Sequence, residues 1–140
     1  DWMQVEQLVG MFTDFYADFD PAKAFEMLDA LHIARTAKLR TLSKGNKEKV
    51  QLILAMSRAA RLYLLDEPVA RDYILHTIIS NYSKDATVIL STHLIGDIEP
   101  VLDEAIFLKD GRVFAHRSVE ELRETEGMSV DAYFREVFKC

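Results

Sequence analysis

Arg61-Leu62-Tyr63-Leu64-Leu65-Asp66-Glu67-Pro68 decides the fold. The continuous apolar run reads as a strand buried in a parallel sheet. Two carboxylates follow at its carboxyl end, where the ligand crevices of open α/β sheets lie. An aspartate at that point, Asp66, can hold Mg2+, often through water. The next side chain, Glu67, points the other way and can orient or deprotonate an attacking water. A strand that simply ends in two solvated acids would use the same residues. Pro68 marks an abrupt turn out of the strand.

Two other stretches give this pair a context. Leu42-Ser43-Lys44-Gly45-Asn46 lies upstream and Ser91-Thr92-His93 downstream. Ser43 is placed to cap a helix whose first N–H groups are unpaired and partly positive. A small hydroxyl residue and a glycine let a phosphate approach that backbone closely, and Lys44 and Lys47 add charge. An ordinary helix cap explains Ser43 equally well by itself. His93 follows a second apolar strand, where it can hydrogen-bond a transferring phosphoryl group. In this order the three pieces suggest machinery for a nucleotide's terminal phosphate. One piece is missing. A phosphate-binding loop reads G-x-x-x-x-G-K-[ST], and none of the five glycines (Gly10, Gly45, Gly96, Gly111, Gly127) is followed by lysine.

Composition narrows the alternatives. With 140 residues, 49% of them hydrophobic and 29% charged, the chain is ordinary for one globular domain. Its apolar runs are far too short to cross a bilayer, and it opens on no signal-peptide pattern. The single cysteine, Cys140, excludes an internal disulfide. A net charge of −6 argues against a broad nucleic-acid surface. The charge is uneven. Arg35, Lys38, Arg40, Lys44, Lys47 and Lys49 against Glu48 give residues 35–49 a charge of +5, so the remainder carries −11. A solvated basic face is one reading and a local anion site the other. His32, His76, His93 and His116 have no zinc-ligand spacing, and no G-x-S-x-G hydrolase elbow occurs.

Along the chain, residues 4–31 read as helices. Val5, Leu8, Val9 and Phe12 share one face, and Asp20-Pro21 forms an N-cap with proline at the first helical position. Phe12, Phe15, Tyr16 and Phe19 are assigned to the core or to helix packing. A helix is predicted over 43–60, another over 71–82, and a buried strand over 87–91. A short helix over 94–102 should be interrupted near Pro100. Strands 104–109 and 112–116 flank Asp110-Gly111, a hairpin signal, and helices over 119–124 and 130–137 close the chain. Strands alternating with helices indicate an α/β layer fold with a helical piece at the front.

These residues resemble the ATP-binding-cassette (ABC) ATPases. Leu42 to Asn46 resembles the family signature, usually Leu-Ser-Gly-Gly-Gln; Leu62 to Glu67 resembles Walker B with its catalytic glutamate; Ser91 to His93 resembles the switch-histidine region. Asp103 with Phe107-Leu108-Lys109-Asp110-Gly111-Arg112-Val113 resembles the family's ending. The match covers nearly all of residues 5–117. The resemblance implies a partial RecA-like P-loop NTPase core, a mostly parallel sheet with helices, preceded by a helical subdomain. It places the helical subdomain with the signature and its helix at 1–61, the C-terminal half of the ATPase core at 62–117 and a helical tail at 118–140. It further implies an ATP- and Mg2+-dependent ATPase subunit of a membrane transporter. Ser43, Lys44, Gly45 and Asn46 would bind nucleotide, with Ser43 and Gly45 on the γ-phosphate of ATP held by the opposite subunit. Asp66 would be the metal ligand, and Glu67 and His93 the catalytic residues. The implied partners are a second ATPase subunit, identical or not, and a transmembrane permease, with the ATPase at the cytoplasmic face of the membrane. The Ser-Lys-Gly-Asn variant and short tail resemble exporter-type cassettes of bacteria. The alternative is a soluble ABC ATPase acting in translation or DNA maintenance, against which the acidic charge counts. Walker A and the Q-loop are expected to lie outside this sequence. The D-loop that should follow Pro68 is replaced by Val69-Ala70 running into Arg71.

Without a phosphate cradle, this chain alone should show no saturable MgATP binding at micromolar concentrations by calorimetry. Tight stoichiometric binding would reveal a phosphate site of another kind.

Overall fold

The computed structural model describes residues 2–66 and 85–138, in two compact units, residues 1–92 and 93–140. The predicted helix over 71–82, with Glu67 and Pro68, lies outside the described residues.

In the first unit, α1 (Val5–Phe15) and α2 (Pro21–Ala30) turn their apolar stripes inward, burying Val5 and Val9, and Ala24, Met27 and Leu28. The first N–H groups of α1 have no partner within the helix. Those of Val5 and Glu6 donate to the carbonyls of Ala37 (3.0 Å) and Arg35 (2.9 Å). The segment leading to Ser43 is thereby docked on the start of α1. Asp20 caps α2 by accepting the Lys23 N–H at 3.0 Å, with Pro21 at the first helical position, as the sequence predicts. α2 ends with His32 in the left-handed region at φ 55° while the Ile33 N–H donates back to Leu28 O at 2.9 Å. That closure usually carries glycine, because a Cβ is disfavoured there.

After a 3-10 turn (Leu39–Thr41), α3 runs from Lys44 to Met56 and buries Val50, Ile53, Leu54 and Met56. It is shorter than the predicted 43–60, and a polar clasp explains why. Arg58 donates from Nε to both Asp18 carboxylate oxygens, at 2.9 and 3.0 Å, and stacks over Tyr16, 3.9 Å from the ring centroid. The Ala59 N–H donates to Asp18 O and the Asp20 N–H to Ser57 O, at 2.9 and 2.8 Å. These bonds draw the chain off the helix axis. The Arg58 bond also holds the Asp18 carboxyl below the usual carboxylate range. A depressed acid contributes above its unfolded pKa, and the contribution fades as pH falls through the folded value.

β1 (Leu62–Asp66) and β2 (Thr87–Ser91) pair in parallel, in register from Leu62 opposite Thr87 to Asp66 opposite Ser91. The expected buried strand is corrected on one face. Tyr63 is buried and Val88 packs on the helical core, but Leu62, Leu64 and Ile89 are 51%, 70% and 49% exposed. Among the described residues this sheet has two strands. One face packs against the helices, and nothing there covers the other. Phe15, assigned to packing from sequence, is also exposed at 76%, whereas Phe19 is buried.

The second unit holds α4 (Ile95–Ile98), a 3-10 turn (Glu99–Val101) containing Pro100, the antiparallel hairpin of β3 (Glu104–Lys109) and β4 (Arg112–Ser118), α5 (Val119–Thr125) and α6 (Val130–Phe138). Asp110 and Gly111 take φ 52° and 73°, the pair of left-handed residues that a tight hairpin turn requires. Phe107 pairs with Ala115 but Leu108 with Val113, so Phe114 is the extra residue of a bulge. Phe107, Val119, Leu122 and Val130 form the small core, with Tyr133 and Phe134 against it.

Two substitutions test this packing by chemical denaturation. His32→Gly relieves the left-handed strain and should stabilise the chain by about 1 kcal/mol. Ile53→Ala empties a fully buried site and should cost about 2–5 kcal/mol.

Candidate functional site

The Ser43 turn is built by the elements on either side of it. Leu39 and Leu42 pack partly buried against the helical core, and the Leu39 N–H donates to Met3 O at 3.0 Å. Ser43 Oγ accepts the Asn46 N–H at 3.2 Å, so the serine is the cap that the sequence predicts. Its own hydroxyl proton remains available for an acceptor outside the helix. Gly45 is informative through what it does not do. Its φ is not left-handed, and a Cβ built there meets nothing within 4 Å. Neither backbone strain nor internal packing calls for glycine here, yet its bareness leaves the first turn of α3 open to approach.

The surrounding charge is only partly committed. Arg35 is bound through two nitrogens to Asp29 and lies 4.4 Å from the centre of the Phe25 ring. This bond lowers the pKa of Asp29 and raises that of Arg35. Lys44 is 94% exposed and reaches Glu48 only at 3.9 Å. Lys38, Arg40, Lys47 and Lys49 make no side-chain ion pair among the described residues. Lys38, Arg40, Lys47 and Lys49 therefore leave part of the cationic charge around the open turn without internal neutralisation.

Asp66 stands at the carboxyl end of β1, exposed, directly opposite Ser91. Ser91 Oγ donates to Asp66 Oδ1 at 2.5 Å. One carboxylate oxygen is thus oriented by the neighbouring strand. Sequence reasoning placed Ser91 in the switch region but missed it as the partner of Asp66. The signal lay in the register, since two five-residue strands in parallel end level with each other. Glu67 follows Asp66 directly and lies outside the described residues. His93 belongs to the second unit, where it is exposed, two residues after β2 ends and two before α4 begins. The structure does not join the Ser43 turn to Asp66. No hydrogen bond or ion pair links them among the described residues, and α3, about 20 Å long at 1.5 Å per residue, intervenes in the chain.

Comparison with known proteins places this arrangement. The chain is 30% identical over 126 residues to the ABC transporter ATP-binding protein YtrB of Bacillus subtilis, covering 85% of this chain and 43% of YtrB. It is 35% identical over 92 residues to the ABC-type transporter ATP-binding protein EcsA of the same organism, covering 61% of this chain and 37% of EcsA. A solved ATP-binding subunit of an ABC transporter superposes on 97% of the chain and 62% of its own, with a TM-score of 0.76 at 22% identity. The chain belongs to the ABC ATPase family. A solved ATP-binding cassette of another ABC transporter agrees in fold, with a TM-score of 0.61 over 84% of this chain and 48% of its own at 21% identity. No protein-family model matches. The ABC fold explains the mixture seen here of front helices, a parallel strand pair and an antiparallel hairpin. The chain spans less than half the length of the ABC relatives YtrB and EcsA.

The open turn makes separable predictions for this ABC chain. Ser43→Ala removes the cap, should cost about 1 kcal/mol, and should speed hydrogen exchange at the Asn46 amide. Gly45→Ala meets no obstacle and should leave stability unchanged or raise it by up to about 1 kcal/mol in denaturant titrations. Marked destabilisation by Gly45→Ala would mean that the glycine serves the fold.

Proposed function

We propose that this chain supplies the magnesium ligand and the phosphate-docking turn of an ATPase that powers transport across a membrane. The observation that carries the reading is Asp66, exposed at the carboxyl end of a parallel strand with one oxygen fixed by Ser91. Among the described residues no group of three His, Cys, Asp or Glu side chains gathers into a protein cage for a metal. A lone oriented carboxylate suits Mg2+, which keeps waters and shares its remaining ligands with nucleotide phosphates. Bound there, Mg2+ would neutralise charge on the phosphates during transfer.

The chain's own residues take the remaining roles. Glu67 orients the attacking water and accepts its proton, and His93 donates a hydrogen bond to an oxygen of the transferred phosphoryl group. Ser43, Lys44, Gly45 and Asn46 dock the terminal phosphate of ATP held by a second ATPase subunit, identical or not. The helical subdomain at 1–61, the core segment at 62–117 and the tail at 118–140 follow the same reading. The 140 residues contain no phosphate-binding loop, so this chain alone should be inactive. The descriptions of YtrB and EcsA as transporter ATP-binding proteins support a transmembrane permease as the further partner and the cytoplasmic face of the membrane as the place of work. No described helix is long and apolar enough to cross a membrane.

The test uses the chain within a cassette completed by its phosphate-loop half. Glu67→Gln keeps the shape and removes the base. Turnover should fall on the order of 10²–10⁴-fold while nucleotide binding persists. Near-normal turnover would refute the assignment.

A further inference from the structure

Glu99 is a charged side chain that the second unit buries, at 8% exposure, next to fully buried hydrophobics such as Ile98 and Leu122. Burying a carboxylate is costly unless its oxygens are engaged. Both are. Oε1 accepts from the Arg123 guanidinium at 3.2 Å and Oε2 accepts the Asp131 backbone N–H at 3.4 Å. Arg123 lies on α5, and Asp131 lies in the first turn of α6, where an acidic acceptor is favoured by the partial positive charge of the helix end. One carboxylate therefore binds three elements of the second unit: the 3-10 turn that carries it, α5 and α6.

The element that this clasp secures is the one that follows His93. α4 has four residues, far too few to hold a helical conformation without tertiary support. Its support is Ile98, buried to 2%, the partly buried Ile95, and Glu99 directly after its last turn. Apolar contacts can slide, whereas two charge-assisted bonds to a carboxylate fix direction and register. His93 lies only two residues ahead of α4, so the setting of α4 fixes where the path to His93 begins.

We infer that Glu99 is a positioning residue for His93, its buried carboxylate fixing the short helix after the histidine to the two C-terminal helices. The inference rests on the proposed contact of His93 with the transferred phosphoryl group. It extends that reading, because it makes residues 119–138 part of the support for His93.

Glu99→Leu keeps the bulk and the burial but removes both bonds. In the chain itself, amide exchange over residues 93–98 should accelerate at least about tenfold, the loss expected for bonds to a charged group, while the β3 and β4 amides keep their rates. Glu99→Gln, which retains an acceptor for the Asp131 N–H, should give an intermediate rise and keeps the test open if the leucine variant does not fold. In the completed cassette, Glu99→Leu should lower kcat about tenfold to a hundredfold, with KM for ATP unchanged. The double variant with His93→Ala should be no slower than His93→Ala alone. Unchanged exchange over 93–98 in both variants, or kinetic losses that multiply in the double variant, would overturn the inference. A His93→Ala cassette with full turnover would instead remove the catalytic role of His93, and the exchange rates would still decide whether Glu99 holds the segment.

Discussion

Burial of one face of α3 is the constraint on which the rest of the first unit depends. Val50, Ile53, Leu54 and Met56 lock the helix against α1 and α2, and what stands at each end of α3 follows from that. At its start, Ser43 and Gly45 must face outward, because the inward face is spent on the core. At its end, the clasp of Arg58 with Asp18 turns the chain out of the helix and into β1. The same buried face therefore presents the Ser43 turn and aims the strand that carries Asp66.

The sheet adds the second condition. Parallel pairing sets Asp66 level with Ser91, and the hydroxyl orients a carboxylate that would otherwise rotate freely at a strand end. The pairing leaves Leu62, Leu64 and Ile89 on a face that the described residues do not cover. Parallel strands are normally covered on both faces, and the ABC relatives run to more than twice the length matched here. The lack of a phosphate-binding loop fits a chain that matches less than half the length of YtrB and EcsA.

Much of this was legible in the sequence where the signal is local. Asp20-Pro21 and Ser43 gave correct helix starts, because capping depends on the residue and its next three N–H groups. Asp110-Gly111 gave the hairpin, because few residue pairs accept two left-handed conformations in a row. Non-local relations were not legible. The early end of α3 depends on Asp18, forty residues before Arg58. The partnership of Asp66 and Ser91 depends on register across a 25-residue separation. The apolar run Leu62 to Leu65 correctly signalled a parallel strand, but pattern alone could not tell that Leu62 and Leu64 would be exposed. Phe15 carried the helical spacing of a packed residue and proved exposed, since spacing identifies a stripe without fixing how wide the buried part of it is.

The central claim is that the Ser43 turn serves a nucleotide held by another subunit, while Asp66 and Glu67 serve the cassette's own site. Mixing two inactive cassettes tests it most directly, one carrying Ser43→Arg and the other Glu67→Gln. If the turn acts across the interface, a mixed dimer has one composite site with both changes and one with neither. The measurement is ATP hydrolysis on mixing, alongside nucleotide binding to the separate monomers. The account predicts that the mixture recovers part of the activity that each variant lacks alone, and that Ser43→Arg monomers still bind ATP. Loss of ATP binding by folded Ser43→Arg monomers would place the turn in the cassette's own site and contradict the account.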